Sequence, residues 1–174
     1  MKKLTNLVLI LLVFLITLIG CSKDDSVNEL NDEFLTAQVD GADWSINKST
    51  GIISCEKIIT SRGVINLLIK ARSVNGDYME LYIDNYVGKR AYTFGDNILN
   101  DNKMSFSQYE NGNSWNVLIN PNRDKTLNNL EVLDDNGKYL KGSFNFEGTN
   151  MKDMSIKKFQ NGNFNFKIRS ENQQ

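Results

Sequence analysis

From Leu35 to Phe166 short alternating apolar runs recur between Asn-Gly, Asp-Gly and Arg-Gly dipeptides, and this punctuation constrains the fold more than any other feature. Alternation of period two puts successive side chains on opposite faces of a strand. Glycine after Asn or Asp supplies the tight turn that reverses it. No long window carries a helical period, and the single proline, Pro121, lies between runs, where no ladder amide is needed. The pattern predicts an all-β chain, an antiparallel sandwich of consecutive hairpins. The alternative is a closed or nearly closed β-barrel.

Loop length fixes which residues are cross-strand neighbours, and neighbours must share a face, so each turn makes a register prediction. A two-residue Asn75-Gly76 loop would oppose Ile69 to Tyr82 and Lys70 to Leu81, mixing the faces. A three-residue loop of Val74, Asn75 and Gly76 instead pairs Ala71 with Met79, Ile69 with Leu81 and Leu67 with Ile83, and outside sets Lys70 beside Glu80 and Arg72 beside Tyr78. Asp40-Gly41 works as a two-residue loop, pairing Leu35 with Ile46, Ala37 with Trp44 and Val39 with Ala42. Asn111-Gly112 also reads as two residues, with Phe106 opposite Val117 and Met104 opposite Ile119. Asp135-Asn136-Gly137 and Gln160-Asn161-Gly162 read as three, giving Val132 with Leu140 and Ile156 with Phe166. Between Ile59 and Val64 either register leaves Lys57 or Glu56 facing apolar residues.

The N-terminus follows other rules. Lys2-Lys3 precedes an uncharged apolar stretch, Leu7 to Ile19, interrupted only by Thr17, which is the n-region and h-region of a signal peptide. A membrane span needs roughly 20 apolar residues. This run is shorter and Ser22-Lys23-Asp24-Asp25 follows at once. Leu18-Ile19-Gly20-Cys21 resembles the bacterial lipobox, which implies cleavage before Cys21 and a diacylglycerol on its sulfur. Each buried acyl methylene contributes about 0.8 kcal/mol, so a pair of chains anchors stably. Lys23-Asp24-Asp25 resembles the export signal of Bacteroidota lipoproteins, which implies the outer face of the outer membrane; a plain solvated spacer on the periplasmic face is the alternative. The chain therefore divides into a signal peptide (1–20), a lipidated cysteine with an acidic flexible tether (21–32), one β domain (33–169) and a short tail (170–174). A domain of that length buries a single sizeable core.

The phrases Gly142-Ser143-Phe144-Asn145-Phe146 and Asn161-Gly162-Asn163-Phe164-Asn165-Phe166 put four phenylalanines on one inward face. Together with Phe34 to Trp44 they resemble a family of uncharacterised Bacteroidota lipoproteins. That resemblance implies the address and an all-β fold, and carries no activity.

Chemistry is limited by what is missing. The chain has no histidine, which removes the usual general base, the Ser-His and Cys-His pairs and most zinc sites. Cys55, left over once Cys21 is lipidated, reads as a buried apolar residue opposite Ile69 or as a reactive thiol. Gly-Lys at 88–89 and 137–138 lacks P-loop spacing. Acid and amide clusters at Asp96-Asn97, Asn100-Asp101-Asn102 and Asp134-Asp135-Asn136 lack the spacing of a calcium loop and suit turns. Of the 20 basic side chains Lys2 and Lys3 leave with the signal peptide, so 18 stand against 21 acidic ones and nucleic acid is not the expected partner. Neither an enzyme, a metal nor a cofactor is implied.

What remains is a surface. Between Tyr78 and Tyr86 alternation turns Tyr78, Glu80, Tyr82, Asp84 and Tyr86 outward, with Lys70 and Arg72 on the neighbouring strand. Rings beside hydrogen-bonding charges suit a glycan or an envelope protein, because tyrosine joins apolar area to a polar tip. Tyrosines are also plain strand formers, and a second sheet could cover them. The expected function is a membrane-anchored binding or interaction module. The alternatives are a barrel around a small apolar ligand, or a structural envelope component.

Overall fold

The computed structural model describes residues 32–169 apart from Arg123 and Lys125. The expected signal peptide, the lipidation site Cys21, the tether up to residue 31 and the tail lie outside the described residues. Eleven strands, all in one mixed sheet, make up the described chain. They are β1 (Phe34–Val39), β2 (Ala42–Asn47), β3 (Gly51–Ile59), β4 (Ile65–Ser73), β5 (Tyr78–Ile83) and β6 (Ala91–Thr93), then β7 (Lys103–Gln108), β8 (Asn113–Asn116), β9 (Asn129–Asp135), β10 (Tyr139–Thr149) and β11 (Ile156–Arg169).

The all-β expectation is met, with an architecture between its two alternatives. Seven strands, in the order β3-β4-β5-β7-β8-β10-β11, hydrogen-bond into a ring. Two joins are slight: β8 meets β10 at Asn116 and Thr149, and β11 meets β3 in parallel at Ile168 with Cys55 and Arg169 with Glu56. The ring is thus barrel-like rather than a regular barrel, and the parallel join breaks the scheme of consecutive hairpins. β1 and β2 extend it from β11, and β9 and β6 from β10.

Across the interior Phe106 of β7 lies 5.0 Å from Phe159 of β11, ring centre to ring centre, and 5.6 Å from Trp44 of β2. Phe146 and Phe159 stack at 3.9 Å, and Phe164 stacks on Phe166 at 5.0 Å. All four phenylalanines of the two repeated phrases are buried. Such fully buried rings each contribute about 1.5–3 kcal/mol through transfer from water, and their mutual geometry adds to it.

Two hairpins have the register expected. β1 and β2 pair Leu35 with Ile46 and Ala37 with Trp44 around Asp40-Gly41. β4 and β5 pair Ala71 with Met79, Ile69 with Leu81 and Leu67 with Ile83, with Lys70 beside Glu80 and Arg72 beside Tyr78 outside. β3 settles the ambiguous turn: Ile59 opposes Ile65, so Cys55 opposes Ile69 and Lys57 faces inward opposite Leu67. Cys55 is fully buried, and burial pushes its thiol up to about 12, with Lys57 opposing and Asp135 adding to the shift.

Three turn readings are corrected. Phe106 opposes Trp115 rather than Val117, and Gln108 opposes Asn113, so the loop holds four residues rather than two. Slipping by two keeps the inward parity, buries the Trp115 ring against Phe106 and leaves Ile119 exposed. At the β9–β10 turn Leu140 opposes Asp135, and a register shift then sets Val132 opposite Gly142. Both apolar residues still point inward, because the shift restores the parity that the longer loop changes.

Asn161-Gly162 is not a turn at all. It sits inside β11, where both neighbours step two residues while β11 steps three: Phe144 and Phe146 oppose Gly162 and Phe159, and Thr36 and Gln38 oppose Asn163 and Gln160. Asn161 takes a left-handed φ of 52°, its amide donates to Asn145 Oδ1 and its Nδ2 to Gln38 Oε1. Gly162 serves close approach, since a Cβ there would stand 2.6 Å from the Phe144 ring. The bulge moves the inward parity from the odd Phe159 to the even Phe164 and Phe166. Ile156, expected inside, is consequently exposed.

Where the chain leads into β1, Glu33 is 2% exposed and clamps three segments. Its carboxylate accepts from the Lys167 amide at 3.0 Å and pairs with Lys48 at 3.1 Å and Arg169 at 3.9 Å. A charge so buried is tolerated only with such partners.

Candidate functional site

The β4–β5 register fixes an outward face that continues over β3, β7 and β8. Three cross-strand rows cover it: Ser54-Lys70-Glu80-Ser105-Asn116, Ile52-Arg72-Tyr78-Ser107-Ser114, and Glu56-Leu68-Tyr82-Lys103. Tyr78, Glu80, Tyr82, Asp84 and Lys70 are all half-buried, and Arg72 is exposed. The rows therefore bring Lys70, Arg72, Tyr78, Glu80 and Tyr82 together as the sequence suggests.

Their hydrogen bonds organise the face. Tyr78 donates to Glu80 Oε2 at 2.6 Å, Asn66 Nδ2 donates to the Tyr82 hydroxyl at 2.7 Å, and Lys103 Nζ lies 5.9 Å from the Tyr82 ring centre. The Tyr78 phenol is raised by partial burial, then by its bond to Glu80; burial, then Asp84, raises Tyr82. Both remain neutral donors at physiological pH. Glu80 thus takes its hydrogen bond from Tyr78. Among the described residues neither Lys70 nor Arg72 lies within 4 Å of a carboxylate, which leaves two cations for an outside acceptor.

Tyr86 does not belong to this face. β5 ends at Ile83, and Asn85, at a left-handed φ of 52°, reverses the alternation and turns Tyr86 into the core at 5% exposure. Its ring stacks on Tyr92 at 5.6 Å and its hydroxyl donates to Asp135 Oδ2 at 2.6 Å. Lys57 Nζ donates to both Asp135 oxygens at 2.8 and 2.9 Å, which explains how a lysine can face the interior. Burial opposes ionisation of Asp135, but the bonds from Lys57, Tyr86 and the Gly137 amide hold its carboxyl below the usual carboxylate range.

The acid and amide clusters act as turns. Asn97 Oδ1 accepts from the Leu99 amide, Asn100 Oδ1 from Asn102 and Asn136 Oδ1 from Lys138. Oxygens committed to their own main chain are poorly placed to ligate a cation.

Sequence reasoning missed two arrangements. Lys57 stood out as a charge on an apolar face, which signals a carboxylate partner without naming Asp135, 78 residues away. Ile52, at the end of the Arg72-Tyr78 row, and Tyr109, exposed at 70% and 71%, line one cleft, and only the assembled turns bring them together.

The Lys57–Asp135–Tyr86 cluster gives a signed prediction. A carboxyl lowered in the folded state stabilises fully above its unfolded pKa, about 3.9, and this contribution fades as pH falls through the folded value. Asp135→Asn should reduce unfolding free energy at pH 7 by about 1–3 kcal/mol in urea titrations, with the difference shrinking at pH 3. An equal difference at both pH values would contradict the assignment. Comparison of the chain with family models, with curated proteins and with solved structures finds no match.

Proposed function

We infer that this chain is a lipid-anchored cell-envelope protein whose β domain binds a glycan or an envelope protein through the outer face of β3, β4, β5, β7 and β8. The carrying observation is that face itself. Two tyrosine rings lie there among Lys70, Arg72, Glu80 and Lys103, in rows fixed by strand register. A preformed strand surface orders few side chains on binding, which favours recognition. The interlocked phenylalanine rings support this reading over a barrel around an apolar ligand. A purely structural envelope role is the second alternative, and Lys70 and Arg72, with no carboxylate within 4 Å among the described residues, weigh against it.

Anchoring rests on Leu18-Ile19-Gly20-Cys21 with its apolar stretch, and address on Lys23-Asp24-Asp25. Nucleic acid is disfavoured by the excess of acids. Replacing Cys21 with Ser should abolish acylation and leave uncleaved precursor in metabolic labelling with palmitate; normal processing of that variant would remove the anchor from the proposal. For the face, Tyr82→Ala should weaken binding to a responsive glycan or envelope protein about thirtyfold, equivalent to ~2 kcal/mol, while Tyr82→Phe retains the ring and most of the affinity. Unchanged binding by the alanine variant would exclude this face.

A further inference from the structure

The Ile52-Arg72-Tyr78 row of the face leads into a cleft of about 470 Å³, bordered by Lys48, Ile52, Arg72, Val74, Gly76 and Tyr109. It forms where the β2–β3 turn, the β4–β5 turn and the loop after β7 come together. Its volume falls within the range of small-ligand sites. Three large apolar side chains are open to solvent there, Ile52 at 70%, Val74 at 76% and Tyr109 at 71% exposure.

The Tyr109 ring is held in place. Gly76 has a left-handed φ of 91°, and a Cβ on it would lie 2.8 Å from Tyr109 Cβ and Cγ, so the aromatic side chain packs directly on the turn. The Tyr109 amide also donates to Asp77 Oδ1. A ring backed by main chain on one side and largely exposed is a stacking platform.

Charge sets the second requirement. Among the described residues two cations and no carboxylate line the cleft, although acids outnumber bases in the chain. Lys48 is committed to the buried Glu33 at 3.1 Å. Arg72 has no carboxylate within 4 Å among the described residues, and its strand position lies opposite Tyr78 on one side and Ile52 on the other. A planar guanidinium and an aromatic platform lining one cleft suit a ligand with a flat apolar face and a carboxylate at its edge.

We propose that this cleft binds an acidic sugar residue of a glycan, with the pyranose face on Tyr109 and its carboxylate on Arg72. This rests on the outer face being the binding surface and names its ligand class. The test uses the full chain in neutral detergent, titrated calorimetrically with an oligogalacturonate and with a neutral malto-oligosaccharide of equal length. The oligogalacturonate should bind, the neutral oligomer should bind at least tenfold more weakly, and added salt should reduce the difference. Arg72→Gln and Tyr109→Ala should each lower oligogalacturonate affinity about tenfold or more with the melting temperature unchanged, since both side chains are exposed. Absence of oligogalacturonate binding, or binding indifferent to both substitutions, overturns the proposal. Equal binding of the neutral oligomer overturns the acidic ligand while leaving the outer face as a glycan surface. Binding only to vesicles containing anionic phospholipid overturns it in favour of a membrane contact.

Discussion

One extra residue in the longest strand decides how this domain can close. β11 must bury Phe159 against Phe146 and Phe106 near one end and Phe164 and Phe166 near the other, and the two groups differ in parity. A regular strand could bury only one group, because a one-residue slip sends a side chain to the opposite face. The bulge at Asn161 resolves this. Its left-handed backbone is one that asparagine tolerates, and the adjacent Gly162 leaves room for Phe144. With both halves of β11 facing the core, its C-terminal end reaches β3 and completes the ring.

The functional face depends on that closure. β3 is tied on one side to β11 by only two residue pairs and on the other to β4 along its whole length. The interior wall beneath the face is built from Ile53, Cys55, Ile69, Ala71, Met79, Leu81, Met104 and Phe106, all buried. Their regular inward alternation is what turns Lys70, Arg72, Tyr78, Glu80 and Tyr82 outward in rows. The Lys57–Asp135–Tyr86 cluster ties β3 to the end of β9, and the Glu33 clamp ties β1 to β11 and to the residues after β2. Both carboxylates are largely buried, and buried ion pairs fix geometry more than they add net stability.

Much of this was legible in the sequence where turn chemistry and alternation agree. The β1–β2 and β4–β5 hairpins have one register that keeps both faces consistent, and the outward residues of β5 follow from it. Legibility ended where two registers share a parity: Phe106 could oppose Val117 or Trp115 without exposing its own strand, and only burial of the tryptophan distinguishes them. It also ended where a turn signal had another use. Asn-Gly at 161–162 has the composition of a hairpin and the function of a bulge, and Asn85 flips Tyr86 inward without any glycine. Long-range pairs such as Lys57 with Asp135, and the cleft around Arg72, depend on strand order, which local pattern does not contain.

Replacing Asn161 with Val in the full chain tests this account most directly, with Asn161→Gly as the companion variant and thermal unfolding followed by near-ultraviolet circular dichroism. A β-branched residue is strongly disfavoured in the left-handed backbone that the bulge needs, so the valine variant should lower the melting temperature by roughly 5 °C or more, whereas glycine accepts that backbone and should stay close to the parent. A valine variant that still melts cooperatively at the parent's temperature would contradict the claim that the left-handed bulge at Asn161 permits the fold to close.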